Sequence, residues 1–244
     1  MNSADPIQGV EVPPRQAAGI FGDRFELASR YADLLANEAT VRGLIGPAEL
    51  PRLWSRHLLN CAVLGELVPA DADLIDVGSG AGLPGIPLAI ARPDLRITLV
   101  EPLLRRSSWL EDVVDRLGLD QVAVRRARAE DLAGTLSAAV VTARAVAPLD
   151  RLVAWCLPLV KPGGELLAMK GQAGQAELDA ATPRLRRMGA QVWEILPIGV
   201  DTLADQTSVV RVRVGSSELP TGRSRAGKVG PKQRSQTQGR GGAR

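Results

Sequence analysis

Aromatic residues make up only 3% of this 244-residue chain: one Tyr, two Phe and four Trp. A protein that grips single-stranded nucleic acid by stacking needs a platform of such rings. Trp54, Trp109, Trp155 and Trp193 fall instead where helix and strand core patterns place them. Histidine occurs once, at His57, and cysteine twice, at Cys61 and Cys156. With no Cys-x-x-Cys spacing and no His cluster, the chain offers no metal-site pattern. Both thiols lie in apolar helical patterns and read as buried, reduced cysteines of a cytosolic protein. No apolar run approaches the roughly 18 residues of a membrane span. The stretch from Met1 to Arg15 is polar and proline-bearing and has no apolar signal-peptide core. The expectation is a cytoplasmic protein, a monomer, without metal or membrane partner.

Acidic residues are scarce at one end. From Gly215 onward, seven Arg and Lys stand against Glu218 alone. The whole chain carries +3, so the tail is +6 and the remainder −3. The tail, rich in Gly, Ser, Gln and Arg, reads as a disordered basic segment, residues 215–244. It serves either as a solubilising end or as a sequence-blind grip on phosphates. Residues 1–14 read as a loose leader.

Between these ends the apolar periodicity changes character. Ile20, Phe21, Leu27, Tyr31, Leu34 and Leu35 recur at helical steps over Gln16 to Asn37. A second helix is expected over Leu50–Leu67, with Leu53, Trp54, Leu58, Cys61 and Leu64 inward and Pro69 ending it. These form a helical extension, residues 15–69. Strands then alternate with helices over 70–214. Strands are expected at Leu74–Val77, Leu95–Val100, Val122–Arg126, Ala138–Thr142, Glu165–Met169, Ala190–Ile195 and Ser208–Val214. Helices are expected at Pro84–Ala91, Leu104–Leu117, Leu149–Leu159 and Gln175–Arg187. Such alternation means an α/β fold with a doubly wound, mostly parallel sheet. The last two strands lack a helix between them. They read as an antiparallel hairpin at the sheet edge, giving seven strands with the last reversed.

The most informative run is Leu74-Ile75-Asp76-Val77-Gly78-Ser79-Gly80-Ala81-Gly82-Leu83-Pro84-Gly85, a strand, a glycine-rich turn and a helix start. The following strand ends in Glu101. A strand-turn-helix-strand unit closed by an acid binds a nucleoside through its ribose hydroxyls. A dinucleotide fingerprint needs glycine at the first, third and sixth positions, and the sixth position here is Leu83. The acidic-x-Gly-x-Gly-x-Gly order resembles motif I of S-adenosylmethionine-dependent methyltransferases. That donor has no pyrophosphate and carries an ammonium group. Asp76 would then supply charge near the ammonium, Gly78, Ser79, Gly80, Gly82 and Leu83 would form the cradle, and Glu101 would hold the ribose.

Ligands in open α/β sheets sit beyond the carboxyl ends of the strands. Arg128 to Asp131, Thr142 to Val146 and Lys170 share that edge with the glycine turn. Glu130 either frames an adenine ring or caps a helix. Thr142-Ala143-Arg144-Ala145-Val146-Ala147-Pro148 lacks the Asn/Asp-Pro-Pro-aromatic run of adenine amino methylases. Cys156 lies mid-helix, which disfavours the thiol chemistry of carbon-5 pyrimidine methylation. Arg144 offers a fixed cationic fork, for a phosphate, a base edge or a neighbouring acid. His57 is either a packing residue or part of the site.

Several short runs occur together in order. They are Arg56-His57-Leu58-Leu59-Asn60, Asp76 through Pro87, Arg92-Pro93, Thr142-Ala143-Arg144-Ala145 and Lys170-Gly171-Gln172. Together they resemble RsmG (GidB), a family of bacterial small-subunit rRNA methyltransferases acting on guanine N7. Gly-Leu-Pro-Gly-Ile-Pro after the glycine turn is its most specific segment. The resemblance spans about residues 20–214. It implies a class I S-adenosylmethionine-dependent methyltransferase fold with S-adenosylmethionine as donor. It implies a guanine in the decoding-region loop of 16S rRNA, or the 30S subunit, as acceptor. Cofactor positions carry onto Gly78, Gly80, Gly82, Glu101, Ala129 and Glu130, and basic site positions onto Arg128, Arg144 and Lys170, with Arg56 and His57. Arg144, Lys170 and His57 are the candidate catalytic residues, with Arg144 also at the cofactor. The chain departs from the family at 42–46 and 205–207, where RNA contacts are expected. Guanine N7 carries no proton at neutral pH, so its methylation needs alignment and no general base. A small-molecule methyltransferase and a non-catalytic RNA-binding assembly factor are the other readings. The intact Asp76, glycines and Glu101 weigh against the latter.

Overall fold

The structure, a computed structural model, describes residues 9–144, 146–170, 174–203 and 207–216. Ala145, Gly171, Gln172, residues 204–206, most of the leader and nearly all of the basic tail lie outside the described residues.

The first expected helix is broken into pieces. Helix α1 is Gln16–Phe21 and α2 is Phe25–Leu34, which runs on into a π turn at Leu35–Ala39. Gly22, at φ +51°, ends α1 in a backbone conformation that L side chains rarely adopt. Apolar periodicity survives the break, which is why the sequence shows one continuous face. The second expected helix is likewise a series of short turns. A 3₁₀ stretch Pro47–Arg52 contains Pro51, followed by a π turn Leu53–Leu59, the short α3 Asn60–Ala62 and a 3₁₀ turn Val63–Leu67. Pro51 lacks the N–H that a regular helix would use there.

The sheet contains β1 Asp73–Val77, β2 Arg96–Val100, β3 Val122–Arg125, β4 Ala138–Arg144, β5 Val160–Lys170, β6 Ala190–Ile198 and β7 Thr207–Val214. Helices α4 Gly85–Ala91, α5 Leu104–Leu117, α6 Leu149–Cys156 and α7 Gly174–Arg187 alternate with the strands. Strand order is β3-β2-β1-β4-β5-β7-β6. Strands β1 to β5 are paired in parallel, and β7 runs antiparallel to both β5 and β6. The expected seven strands with the last reversed are therefore present. The closing hairpin lies at the sheet edge as expected, with β7 beside β5 and β6 outermost. Strand β5 begins five residues earlier than the expected Glu165, and Pro162-Gly163-Gly164 forms an irregularity within it. Val160 pairs with Ala138 and Glu165 with Val140, so residues 161–164 are taken up as a bulge.

Two apolar layers follow from the alternation of side chains along each strand. Leu74, Ile97, Val140, Leu167 and Val209 face α1 to α5, while Ile75, Val141, Leu166 and Val210 face α6 and α7. The helical extension thus shares a core with α4 and α5, packing as part of one body. The order reverses at β1, flanked by β2 on one side and β4 on the other. In open α/β sheets such a switch point is where a ligand crevice forms, at the carboxyl ends of the parallel strands. Among the described residues no helix is long and apolar enough to cross a membrane.

Candidate functional site

The glycine turn leaves β1 at this crevice and is tied down from several sides. Gly78 and Ser79 N–H groups donate to Val100 O at the end of β2, at 2.8 and 3.2 Å. Gly80 N–H donates to Glu101 Oε2 at 3.1 Å. A Cβ at Gly78 would lie 2.7 Å from Val146 Cγ2, and one at Gly82 2.5 Å from Ile86 Cγ1 and 2.8 Å from Tyr31 Oη. A Cβ at Gly80 would meet only Gly78 O, at 3.8 Å. The flanking glycines are required by protein neighbours, while among the described residues a Cβ at Gly80 would make only an ordinary contact.

Both carboxylates expected at the site are buried. Asp76 Oδ2 accepts the Gly85 N–H at 3.0 Å and so holds the first residue of α4. Among the described residues Asp76 Oδ1 is buried without a partner. Burial pushes the Asp76 carboxyl up to about 7, opposed by the Gly85 N–H and the Arg144 guanidinium. Glu101, 2% exposed, accepts the Leu103 N–H at 3.0 Å on Oε1 as well as Gly80 on Oε2. Arg106 Nη1 lies 3.9 Å from it. Each carboxylate oxygen keeps acceptor capacity after one N–H bond. A buried Asp76 carboxyl with one oxygen unpartnered among the described residues, beside a small-residue turn and with a second acid at the next strand end, fits a cationic nucleoside of the S-adenosylmethionine type. Ser79 Oγ–H donates to Asp76 O at 3.0 Å and Leu83 precedes Pro84, so both shape the turn through the backbone. Ala129 is buried in the turn after β3, whereas Arg128 and Glu130 beside it are exposed.

The β4 side is built from cations held by partners distant in sequence. Arg144, the last residue of β4, donates from Nη1 to Cys61 Sγ at 2.9 Å and from Nη2 to His57 Nδ1. A guanidinium only donates, so Nδ1 is an acceptor and the ring proton sits on Nε2. Nε2 donates to Glu49 Oε2 at 2.7 Å. Burial, reinforced by Arg144, lowers the His57 pKa to about 4, so the ring is neutral. Glu49 is held down to about 2, chiefly by its bond from Arg52. Arg56 is exposed, with Nε 3.8 Å from Glu49 Oε2. Lys170, at the end of β5, donates from Nζ to Ala147 O at 2.6 Å and pairs with Glu177 Oε2 at 2.8 Å. That Glu177 oxygen also accepts the Leu149 N–H at 2.8 Å. Lys170 thus fastens the loop after β4 to Glu177 on α7, which in turn holds the start of α6.

The structure brings Asp76, the glycine turn and Glu101 together, and separately joins His57 to Arg144. Glu49, Cys61 and Glu177, which orient the cations, carry no sequence signal that marks them out. Tyr31 and Trp109, read from sequence as core residues, both donate to Ala81 O within the glycine turn, at 3.0 and 2.9 Å. That Tyr31 is the only tyrosine was the one available hint.

The family described as rRNA small subunit methyltransferase G (GidB) matches residues 24–199. A Ribosomal RNA small subunit methyltransferase G of Streptomyces coelicolor is 57% identical over 213 residues, covering 86% of this chain and 89% of that protein. One of Nocardioides sp. is 59% identical over 82% of this chain and 80% of its own length. One of Thermobifida fusca is 51% identical over 91% and 93%. Among solved structures, a SAM-dependent O-methyltransferase of Thermotoga maritima aligns with a TM-score of 0.52 at 12% identity, covering 66% of each chain. TYW2 of P. horikoshii in complex with MeSAdo aligns at 0.53 and 13%, over 66% of this chain and 63% of that one. These last two likenesses concern the fold alone.

Proposed function

The chain belongs to the rRNA small subunit methyltransferase G family, and on that premise we propose that it methylates N7 of a guanine in the decoding-region loop of 16S rRNA. The donor is S-adenosylmethionine. In this reading residues 70–214 are the methyltransferase core and 15–69 its helical extension. The protein works as a cytoplasmic monomer on the 30S subunit or its rRNA. The basic tail and the regions 42–46 and 205–207 assist RNA contact.

One observation carries the acceptor: the cationic groups at β4 and β5 are arranged to hold, not to take protons. His57 is neutral, and its Nδ1 lone pair already accepts from Arg144. Lys170 is engaged by Glu177 and Ala147. An exocyclic amine or hydroxyl acceptor must lose a proton, and guanine N7 need not.

When bound, the donor supplies an electrophilic methyl on a positively charged sulfur, so transfer moves a positive charge onto the base instead of creating one. Asp76 Oδ1 would take the ammonium, Glu101 the ribose hydroxyls, and Gly80 the close approach. Ala129 and Glu130 would border the adenine. An arginine fork spanning both O6 and N7 of guanine would block the attacking lone pair. Two N–H groups of Arg144 are already used on Cys61 and His57. The remainder can hold O6 or a phosphate and leave N7 open. Holding the base in line supplies roughly 7–11 kcal/mol of the barrier reduction.

The test is transfer of labelled methyl from S-adenosylmethionine to 30S subunits lacking the modification, with the product base mapped. Label at guanine N7 of 16S rRNA supports the reading. Cofactor binding without label in RNA, or label at another base, overturns it.

A further inference from the structure

We propose that Tyr31 and Trp109 are positioning residues that clamp the glycine turn in its cofactor-binding shape, so that the helical extension sets cofactor affinity as well as RNA contact. The proposal rests on the reading of Gly78–Gly82 as the S-adenosylmethionine cradle.

Ala81 O lies between the glycines and accepts two hydrogen bonds, from Tyr31 Oη–H at 3.0 Å and Trp109 Nε1–H at 2.9 Å. A carbonyl oxygen has two lone pairs, so both are used. The donors come from different parts of the chain, α2 in the extension and α5 in the core. Both side chains are fully buried, so neither bond competes with water. The Tyr31 oxygen also fills the space that a Cβ on Gly82 would need, at 2.8 Å.

A turn with positive φ at Gly78, Gly80 and Gly82 has little intrinsic preference for one shape. Its conformation is set by what grips it from outside. On one flank the grip is Val100 O and Glu101, which belong to the nucleoside site itself. On the other it is Tyr31 and Trp109, which are fully buried in the core. The same extension holds Arg144 through His57 and Cys61. One segment therefore braces both the cofactor side and the acceptor side.

Tyr31→Phe keeps the ring and removes the hydroxyl. S-adenosylmethionine affinity, by calorimetry on the full chain, should fall about five- to tenfold, the effect of one buried hydrogen bond. At saturating cofactor, kcat and the KM for 30S should stay within twofold, because only pre-organisation of the cofactor turn is lost. A lowered Tm with unchanged cofactor affinity would show a packing role only and overturn the clamp. A second measurement does not depend on the variant folding. Tyr31 is the only tyrosine, so protein grown with 3-fluorotyrosine carries one ¹⁹F resonance at the clamp. It should shift and sharpen when S-adenosylmethionine is added. A resonance unmoved at saturating cofactor sinks the proposal. Wild-type protein that binds no S-adenosylmethionine at all sinks the underlying reading instead.

Discussion

The two sides of the crevice hold their chemistry by different means. At β1 and β2 the site is made of backbone: a glycine turn whose N–H and C=O groups are pinned to Val100, Glu101, Tyr31 and Trp109. At β4 and β5 it is made of long cationic side chains, each locked by partners from another element. A backbone site can be damaged by adding a methyl group. A side-chain site is damaged by removing a charge or misdirecting it. The two kinds of change should therefore separate cofactor binding from methyl transfer.

The largest effect is expected on the backbone side. Gly82→Val places a branched side chain at φ +111°, against Ile86 and Tyr31 Oη. Strain and overlap together should cost about 3 kcal/mol or more of stability. Cofactor affinity should drop at least about a hundredfold. Calorimetry at a temperature where the variant is folded checks this; affinity within tenfold of wild type would break the assignment of the turn.

Next comes the fork. Arg144→Lys keeps the charge but cannot reach Cys61 and His57 in one plane. Methyl transfer should fall about 10–100-fold, equivalent to about 1.4–2.7 kcal/mol, while cofactor affinity stays within twofold. Equal losses in both would show that the two sides are not separable.

This division explains what the sequence made legible. The glycine turn, Asp76 and Glu101 stand in a fixed local order, because backbone geometry imposes it within a short span. The strand alternation and the reversed last strand were legible for the same reason: period and turn chemistry are local. Glu49, Cys61 and Glu177 were not, because their pairing with His57, Arg144 and Lys170 exists only after the chain folds back on itself. The breaks in the extension were also hidden, since Gly22 and the π turns interrupt hydrogen bonding without interrupting the apolar face. Insertion of β7 beside β5 is a tertiary choice that no local pattern records.

A smaller and subtler effect concerns protons. Burial raises Asp76 to about 7, so without ligand the carboxyl is mostly protonated below that pH. A cationic ammonium at Oδ1 needs the carboxylate. Cofactor affinity should therefore rise with pH by up to about tenfold per unit below about 7 and level off above it. Folding responds with the opposite sign. The native state binds this proton more tightly than the unfolded chain, so Asp76 lowers stability progressively as pH rises from about 4 to 7. Asp76→Asn should flatten both trends. A pH-independent wild-type affinity over this range would remove Asp76 from the ammonium.

The smallest effect is expected from the exposed arginine. Arg128 follows β3 on the same edge and is open to solvent, unlike the braced Arg144. If it meets an RNA phosphate, its contribution is mainly counterion release and is screened by salt. Arg128→Ala should weaken RNA binding about three- to fivefold at low salt and lower the slope of log affinity against log salt by about 1. At high salt the variant and wild type should converge. The Arg144→Lys defect should persist there, because it is one of geometry in a partly buried fork. RNA-binding curves for Arg128→Ala and methyl-transfer rates for Arg144→Lys at several salt concentrations make the distinction: convergence of both on wild type, or of neither, would mean that braced and exposed cations do the same work.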